Sequence, residues 1–266
     1  MKTTQKKSIF ICLIILLLVL GLASNGIFTL GTLGVFAQST DSPKTVPRTV
    51  LAELFVQGSC STCPTAEFCL EDLVWRYGTS KLILVQEHLW GDGYDIPETN
   101  ARYNWYVGDS KKGTPDLFID GLTKRLQDLS CDCVEGNYEC YKDAIDKELT
   151  RPSLLDISAS KTISESKYII EGSVKNISDT PLKDLAVCGM VGKEGDAPGL
   201  YNYIQDIFPF QNIPTLLPGA AFNFKFISEI SLTPESEIDD EKEILHLVIF
   251  VQNTITKEIL QALYLE

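Results

Sequence analysis

Two textures of hydrophobic patterning divide the chain. As far as residue 150, apolar runs alternate with helix-like stripes; from residue 154 onward, short alternating runs are separated by turn residues. In the first part, residues 49–56 are apolar except for Glu53, as in a strand covered on both faces. A helical stripe over 65–77 stops at Gly78, and residues 81–88, with Leu82-Ile83-Leu84-Val85, predict a second buried strand. A strand, helix and strand of this length imply a parallel pair with a right-handed crossover. After a Gly- and Asp-rich loop at 89–96, Pro97 opens a helix reaching about Val107, with Glu98 in its first turn. Its aromatics, Tyr103, Trp105 and Tyr106, read as packing residues. Residues 113–121 form a strand entered through Thr114-Pro115 and left through Asp120-Gly121, with 122–129 returning antiparallel to it. Residues 138–149 make an amphipathic helix through Tyr141, Ala144, Ile145 and Leu149, ended by Arg151-Pro152.

The second texture predicts strands at 154–160, 168–174, 185–191, 221–227, 245–251 and 259–265. Alternation is clear in Ile170, Gly172, Val174 and in Leu245, Leu247, Ile249. Short strands at this spacing predict an immunoglobulin-like sandwich. Residues 198–214, with Tyr201, Tyr203, Phe208 and Phe210, read as a loop that covers one end of the sandwich or packs on the first domain. Asn176-Ile177-Ser178 matches a glycosylation sequon, for which a turn is sufficient explanation. The fold expected is an α/β domain over 49–150 followed by an all-β sandwich over 153–266, with a linker at 41–48.

Charge narrows the partners. The 266-residue chain carries a net charge of -13 and no basic run beyond its N-terminus, which argues against nucleic acid. Residues 1–40 read as a signal peptide or an N-terminal membrane anchor: Lys2, Lys6 and Lys7 precede apolar runs at 9–22 and 27–36. Cleavage after Val35-Phe36-Ala37 and retention as an anchor are both open. In either case the rest of the chain is expected outside the cytoplasm, secreted or membrane-anchored. Of eight cysteines, seven lie beyond this segment. An odd number leaves at least one free or paired with another molecule, and Cys188 is expected as a buried core thiol.

The chemistry centres on Cys60-Ser61-Thr62-Cys63-Pro64, between the first strand and its helix. The first turn of a helix has unpaired N–H groups and the positive dipole end, which favour a thiolate. Cys60 there is the candidate attacking sulfur and Cys63 the resolving one. No diffusible cofactor is required. Two other readings stay open: a structural disulfide in a non-catalytic surface binding module, and copper(I) held by Cys60, Cys63 and His88. Cys69, Cys131, Cys133 and Cys140 form a second sulfur group, expected as structural disulfides, with a C-x-C relay or a four-thiolate zinc site as alternatives.

The order of strand, C-x-x-C helix, strand, helix, X-Pro, hairpin and helix resembles the thioredoxin-like superfamily over residues 47–150. Glu53-Leu54-Phe55, the His88 motif, Ala101-Arg102-Tyr103 and Thr114-Pro115 resemble a secreted or membrane-anchored branch in which a β-rich domain follows. The resemblance implies thiol-disulfide exchange on extracytoplasmic proteins, with an unidentified redox partner. It also implies a cis proline at Pro115, with Thr114 and Pro115 docking the substrate chain. Two departures stand out. Ser61-Thr62 replaces the Gly-Pro of thioredoxins proper, so direction of electron flow does not carry over. Leu54 occupies the buried-acid position six residues before Cys60, leaving Glu53, Glu87 and His88 as candidate proton acceptors.

Overall fold

Strand β1 (Val50–Val56) is buried along its whole length, and the alternation of its side chains decides what each face packs against. The computed structural model containing it describes residues 44–127, 139–164, 167–195, 200–228 and 245–265. Val50, Ala52, Leu54 and Val56 face helix α1 (Cys63–Tyr77) and helix α3 (Glu139–Leu149), whose Tyr141 and Ile145 enter the same core. Phe55, on the other face, packs with Tyr103, Tyr106 and Val107 of helix α2 (Pro97–Val107). β2 (Leu82–His88) runs parallel to β1, and β3 (Asp116–Ile119) runs antiparallel on its other side, followed by β4 (Lys124–Gln127). This is the element order expected for the first part of the chain, and Thr114–Pro115 is cis.

Identifiable residues set both ends of α1 and the start of α2. Pro64 sits in the first turn of α1, where its missing N–H costs nothing. Gly78, at φ 76°, closes it, its N–H donating to the Val74 carbonyl at 2.8 Å. At the start of α2, Thr99 Oγ1 accepts the Ile96 N–H at 3.3 Å and fixes the entry of the chain.

The six strands expected after residue 153 are present: β5 (Leu155–Ser164), β6 (Lys167–Asn176), β7 (Leu185–Lys193), β10 (Ala221–Ile227), β11 (Leu245–Asn253) and β12 (Ile259–Leu265). A three-stranded sheet, β10-β6-β5, packs on β7, β11 and β12 through Ile157, Ile170, Val174, Val187, Leu247 and Ile249. Residues 198–214 differ from the expected loop. They contain β8 (Tyr203–Ile207) and β9 (Gln211–Ile213), because Tyr203, Ile204 and Phe208 have buried positions to fill. β8 pairs with β7 on one side and with β2 on the other, at Gln86–Tyr203.

That strand changes the architecture. The long sheet runs β12-β11-β7-β8-β2-β1-β3-β4, so strands from both halves share one sheet, and residues 41–266 form one unit of dense contacts. The boundary expected near residue 150 falls inside it. The sheet curls until its far edge returns to β3: Gly121 bridges Glu258, and the Ile259 N–H donates to the Asp120 carbonyl at 3.0 Å. Gly121 is required there, since a Cβ would lie 2.0 Å from the Lys257 carbonyl oxygen and its φ is +67°.

The expected linker is partly structural. Val46 pairs with Ser153, and Arg48, which is buried, donates to Asp120 Oδ2 at 3.0 Å and to the Ile259 carbonyl at 3.1 Å. Asn176 ends β6 and holds the turn after it: its amide donates to the Thr180 and Leu216 carbonyls at 2.8 and 2.9 Å. Among the described residues no helix is long and apolar enough to cross a membrane. The expected leader or anchor at 1–40 lies outside the described residues, as do Cys131 and Cys133.

Candidate active site

Cys60 and Cys63 form a disulfide at the carboxyl end of β1, where the chain leaves the sheet and starts α1. Their Cα atoms are 5.5 Å apart. Cys63, in the first turn of α1, is buried, whereas Cys60 is only half-buried. The Cys63 N–H donates to Cys60 Sγ at 3.1 Å. After reduction that donor and the helix dipole act on the Cys60 sulfur, and both favour its thiolate. The more accessible sulfur is therefore also the one placed to be nucleophilic.

Thr114–Pro115 is brought to the same end of the sheet. Asp116, the next residue, pairs with Phe55, so the cis peptide follows the end of β1 in the antiparallel register. Its segment is tied down from three sides. Tyr103 Oη donates to Asp116 Oδ2 at 2.9 Å and accepts the Gly113 N–H at 3.0 Å. Arg125 grips Asp116 through Nε at 2.9 Å and Nη2 at 2.6 Å, and reaches the Lys111 carbonyl at 2.6 Å. The backbone of this segment is thereby held in one conformation at the end of the sheet that carries Cys60. Tyr103 was expected as a packing residue, and its hydroxyl adds this second role.

His88 lies beside Val56 in the parallel register, at the same sheet end. Its Nδ1 pairs with Asp92 Oδ2 at 2.6 Å, and the same oxygen accepts the Gly58 N–H at 3.1 Å. Asp92 Oδ1 accepts the Tyr94 N–H at 3.0 Å. One carboxylate thus joins the β2 loop to the turn that carries Cys60. His88 Nε2 is buried without a hydrogen-bond partner, with the Tyr94 and Tyr203 rings at 5.2 and 6.1 Å. Among the described residues no group of three or more His, Cys, Asp or Glu side chains is placed to hold a metal ion.

Glu53 and Glu87 are not part of this assembly. Both point to the opposite face of the sheet, into a buried cluster with Arg102, Tyr106 and Gln252. Arg102 Nε donates to Glu53 Oε1, Tyr106 Oη donates to Glu53 Oε2 at 2.7 Å, and Arg102 Nη2 donates to Tyr106 Oη at 2.6 Å. Glu87 is 3.8 Å from Arg102 Nε, and neither of its oxygens has a hydrogen-bond partner. Burial first, and the neighbouring Glu53 second, push its carboxyl well above the usual range, with Arg102 opposing them. Cys188 is a free, fully buried thiol whose pKa is likewise pushed up by burial.

Cys69 and Cys140 are each disulfide-bonded. One functional candidate escaped the sequence reading. Glu67 lies in the buried face of α1, one turn after Cys63, and burial followed by Glu71 raises its pKa to about 7. The helical stripe itself carries the signal: Cys63, Ala66, Leu70, Leu73 and Val74 mark the core side, and Glu67 falls among them.

No protein-family model and no curated protein sequence matches the chain. Among solved structures, HBP35 of Porphyromonas gingivalis superposes with a TM-score of 0.63 at 15% identity, over 83% of this chain and 76% of that one. The likeness shows a shared fold across both halves. A domain of the outer membrane lipoprotein Omp28 from Porphyromonas gingivalis gives a TM-score of 0.29 at 14% identity, covering 43% of this chain and 88% of that domain. The Bacteroides uniformis beta-glucuronidase gives 0.31 at 21% identity, covering 41% of this chain and 12% of the enzyme. These two overlaps are too partial to bear on function.

Proposed function

We propose that the chain is an extracytoplasmic thiol-disulfide oxidoreductase of the thioredoxin-like superfamily, acting on protein thiols and disulfides through Cys60 and Cys63. The observation that supports it most is the asymmetry of the pair: a half-buried Cys60 whose sulfur accepts the Cys63 N–H at a helix start, and a buried Cys63 one turn on. In the reducing direction, the Cys60 thiolate attacks a substrate disulfide. A Cys60–substrate disulfide forms and one substrate sulfur leaves as a thiolate that takes up a proton. Cys63 then loses its proton and attacks Cys60 Sγ, the second substrate sulfur leaves, and the two cysteines end as a disulfide. Two electrons have passed from the pair to the substrate. Oxidation of a substrate is the same path reversed, and direction depends on the potential of the couple.

The fixed segment at Thr114–Pro115 supplies the surface on which the substrate chain is held. The partners in this reading are extracytoplasmic proteins and a separate redox partner that resets the couple. Residues 1–40, read as a leader or an anchor, support a site beyond the membrane in either case.

Turnover of a protein disulfide with dithiothreitol as the recharging thiol tests the proposal. The wild-type chain is expected to accelerate reduction, Cys60→Ser to be inactive, and Cys63→Ser to stall at the mixed disulfide. Wild-type turnover equal to that of Cys60→Ser would refute the proposal.

A further inference from the structure

Helix α1 buries Cys63, Ala66, Glu67, Cys69, Leu70, Leu73 and Val74 against the sheet. Glu67 is the one ionisable carboxyl in that face, 8% exposed in a position where an apolar side chain would cost less. Burial and Glu71 both act against its charge, and among the described residues no cation offsets them. A carboxyl kept there without a counterion asks for a reason other than packing.

Its place supplies one. Residues i and i+4 are adjacent on a helix, about 6 Å apart along the axis, and side chains lean toward the N-terminus. Glu67 therefore covers the turn from which Cys63 projects. β1 offers Leu54 on this face, while Glu53 and Glu87 lie across the sheet, tied to Arg102. His88 is on the same face, but its Nδ1 is engaged by Asp92 and its ring packs against Tyr94 and Tyr203 in the β2 loop and β8, not against α1. Among the described residues, the other titratable groups around this side of α1 are Glu71, which accepts from Gln86 Nε2 at 3.3 Å, then Tyr77, Glu194, Tyr201, His246 and Tyr141. None of these is one helical turn from Cys63.

We infer that Glu67 takes the proton from the Cys63 thiol when Cys63 resolves the mixed disulfide, and returns it when the pair is reduced. The inference rests on the exchange reading above. In the resolving step the Cys63 S–H bond breaks, its proton passes to the Glu67 carboxylate, and the sulfur electron pair forms the bond to Cys60 Sγ. The Cys60–substrate bond breaks and the substrate leaves as a thiolate. A carboxyl titrating at about 7 can hold and release this proton at neutral pH, which one with an ordinary value near 4.3 would do poorly.

The test is the rate at which a Cys60–glutathione mixed disulfide closes to the Cys60–Cys63 disulfide, followed between about pH 5 and pH 9 in the full chain, for wild type, Glu67→Gln and Glu67→Asp. Wild type should show an inflection near pH 7; Glu67→Gln should lose it and close at least about ten-fold more slowly, and Glu67→Asp should retain it. A wild-type profile in Glu67→Gln would overturn the inference while leaving the exchange reading intact. No glutathione adduct on Cys60 at all would overturn both. Should Glu67→Gln fail to fold, an NMR titration of the Glu67 carboxyl in the wild-type chain decides: its midpoint should move between the disulfide and dithiol states. An unmoved midpoint would also overturn the inference.

Discussion

Three buried carboxyls, Glu67, Glu87 and Asp120, carry much of the residue-scale physics. Asp120 is raised to about 7, by burial first, against the opposing pull of Arg48 and the Leu51 N–H. Glu67 is raised to the same region. An unfolded Asp or Glu titrates at about 4, so folding favours the protonated form of each. Their contribution is full below about pH 4 and is lost as pH rises through about 7. Glu67→Gln should therefore gain on wild type between about pH 5 and pH 8, read as the difference in urea midpoint at the two values. A constant difference would show that Glu67 does not titrate in this window.

Pairing distinguishes the other buried charges. Arg48 neutralises Asp120 at 3.0 Å and lies 3.8 Å from both Glu148 and Glu258. Arg48→Ala would remove the cation that opposes the burial of Asp120, so that its carboxyl takes up a proton near neutral pH; the urea midpoint should fall there, and fall less at about pH 5, where Asp120 already holds its proton. Glu87→Gln should cost less than Arg48→Ala in the same assay, because burial and Glu53 already disfavour the charged form of Glu87. Cys188 should resist alkylation in the folded chain and react once it unfolds. The roles of Glu53 and Glu87 turned on strand parity: the alternation that places Leu54 toward α1 puts Glu53 on the far face. The partner that holds Glu53, Arg102, lies 49 residues away, beyond what a single sequence reveals.

At the scale of elements, the site depends on loops fixed by a few side chains. Tyr103, Asp116 and Arg125 pin the segment of Thr114–Pro115, while Asp92 joins the Cys60 turn to β2. If Thr114–Pro115 holds the substrate as proposed, Tyr103→Phe should raise KM for a protein disulfide several-fold and leave the alkylation rate of Cys60 unchanged, since it loosens that segment and not the thiolate. Equal effects on both would assign Tyr103 a purely structural role. Periodicity made α1, α2, α3 and the strands of both halves legible, because each has one continuous buried face or a regular alternation. β8 was not legible. Its five residues follow Pro198 and Gly199 and include Gln205 and Asp206, so the stretch reads as a loop, and only its neighbours β7 and β2 make it a strand.

For the whole molecule, that strand has consequences beyond its length. One sheet runs through both halves, and its inner face gathers Leu51, Ile83 and Val85 from the first with Met190, Val248 and Phe250 from the second. Separating the halves would expose this core on each. A single unfolding transition is expected, with tryptophan fluorescence, from Trp75, Trp90 and Trp105 in the first half, coinciding with far-ultraviolet circular dichroism. Two resolved transitions would mean that the halves are energetically independent.

Cys60 and Cys63 are proposed to form a working redox couple with Cys60 as the attacking sulfur. Trapping tests it most directly: the Cys63→Ser chain is incubated with a protein disulfide, quenched with acid, and the linked cysteine is identified by peptide mass. The account predicts a mixed disulfide on Cys60, formed near neutral pH at a rate implying a thiolate pKa well below the ordinary value of about 8.5. A chain that forms no such adduct, or forms it only at the pH of an ordinary thiol, would contradict it.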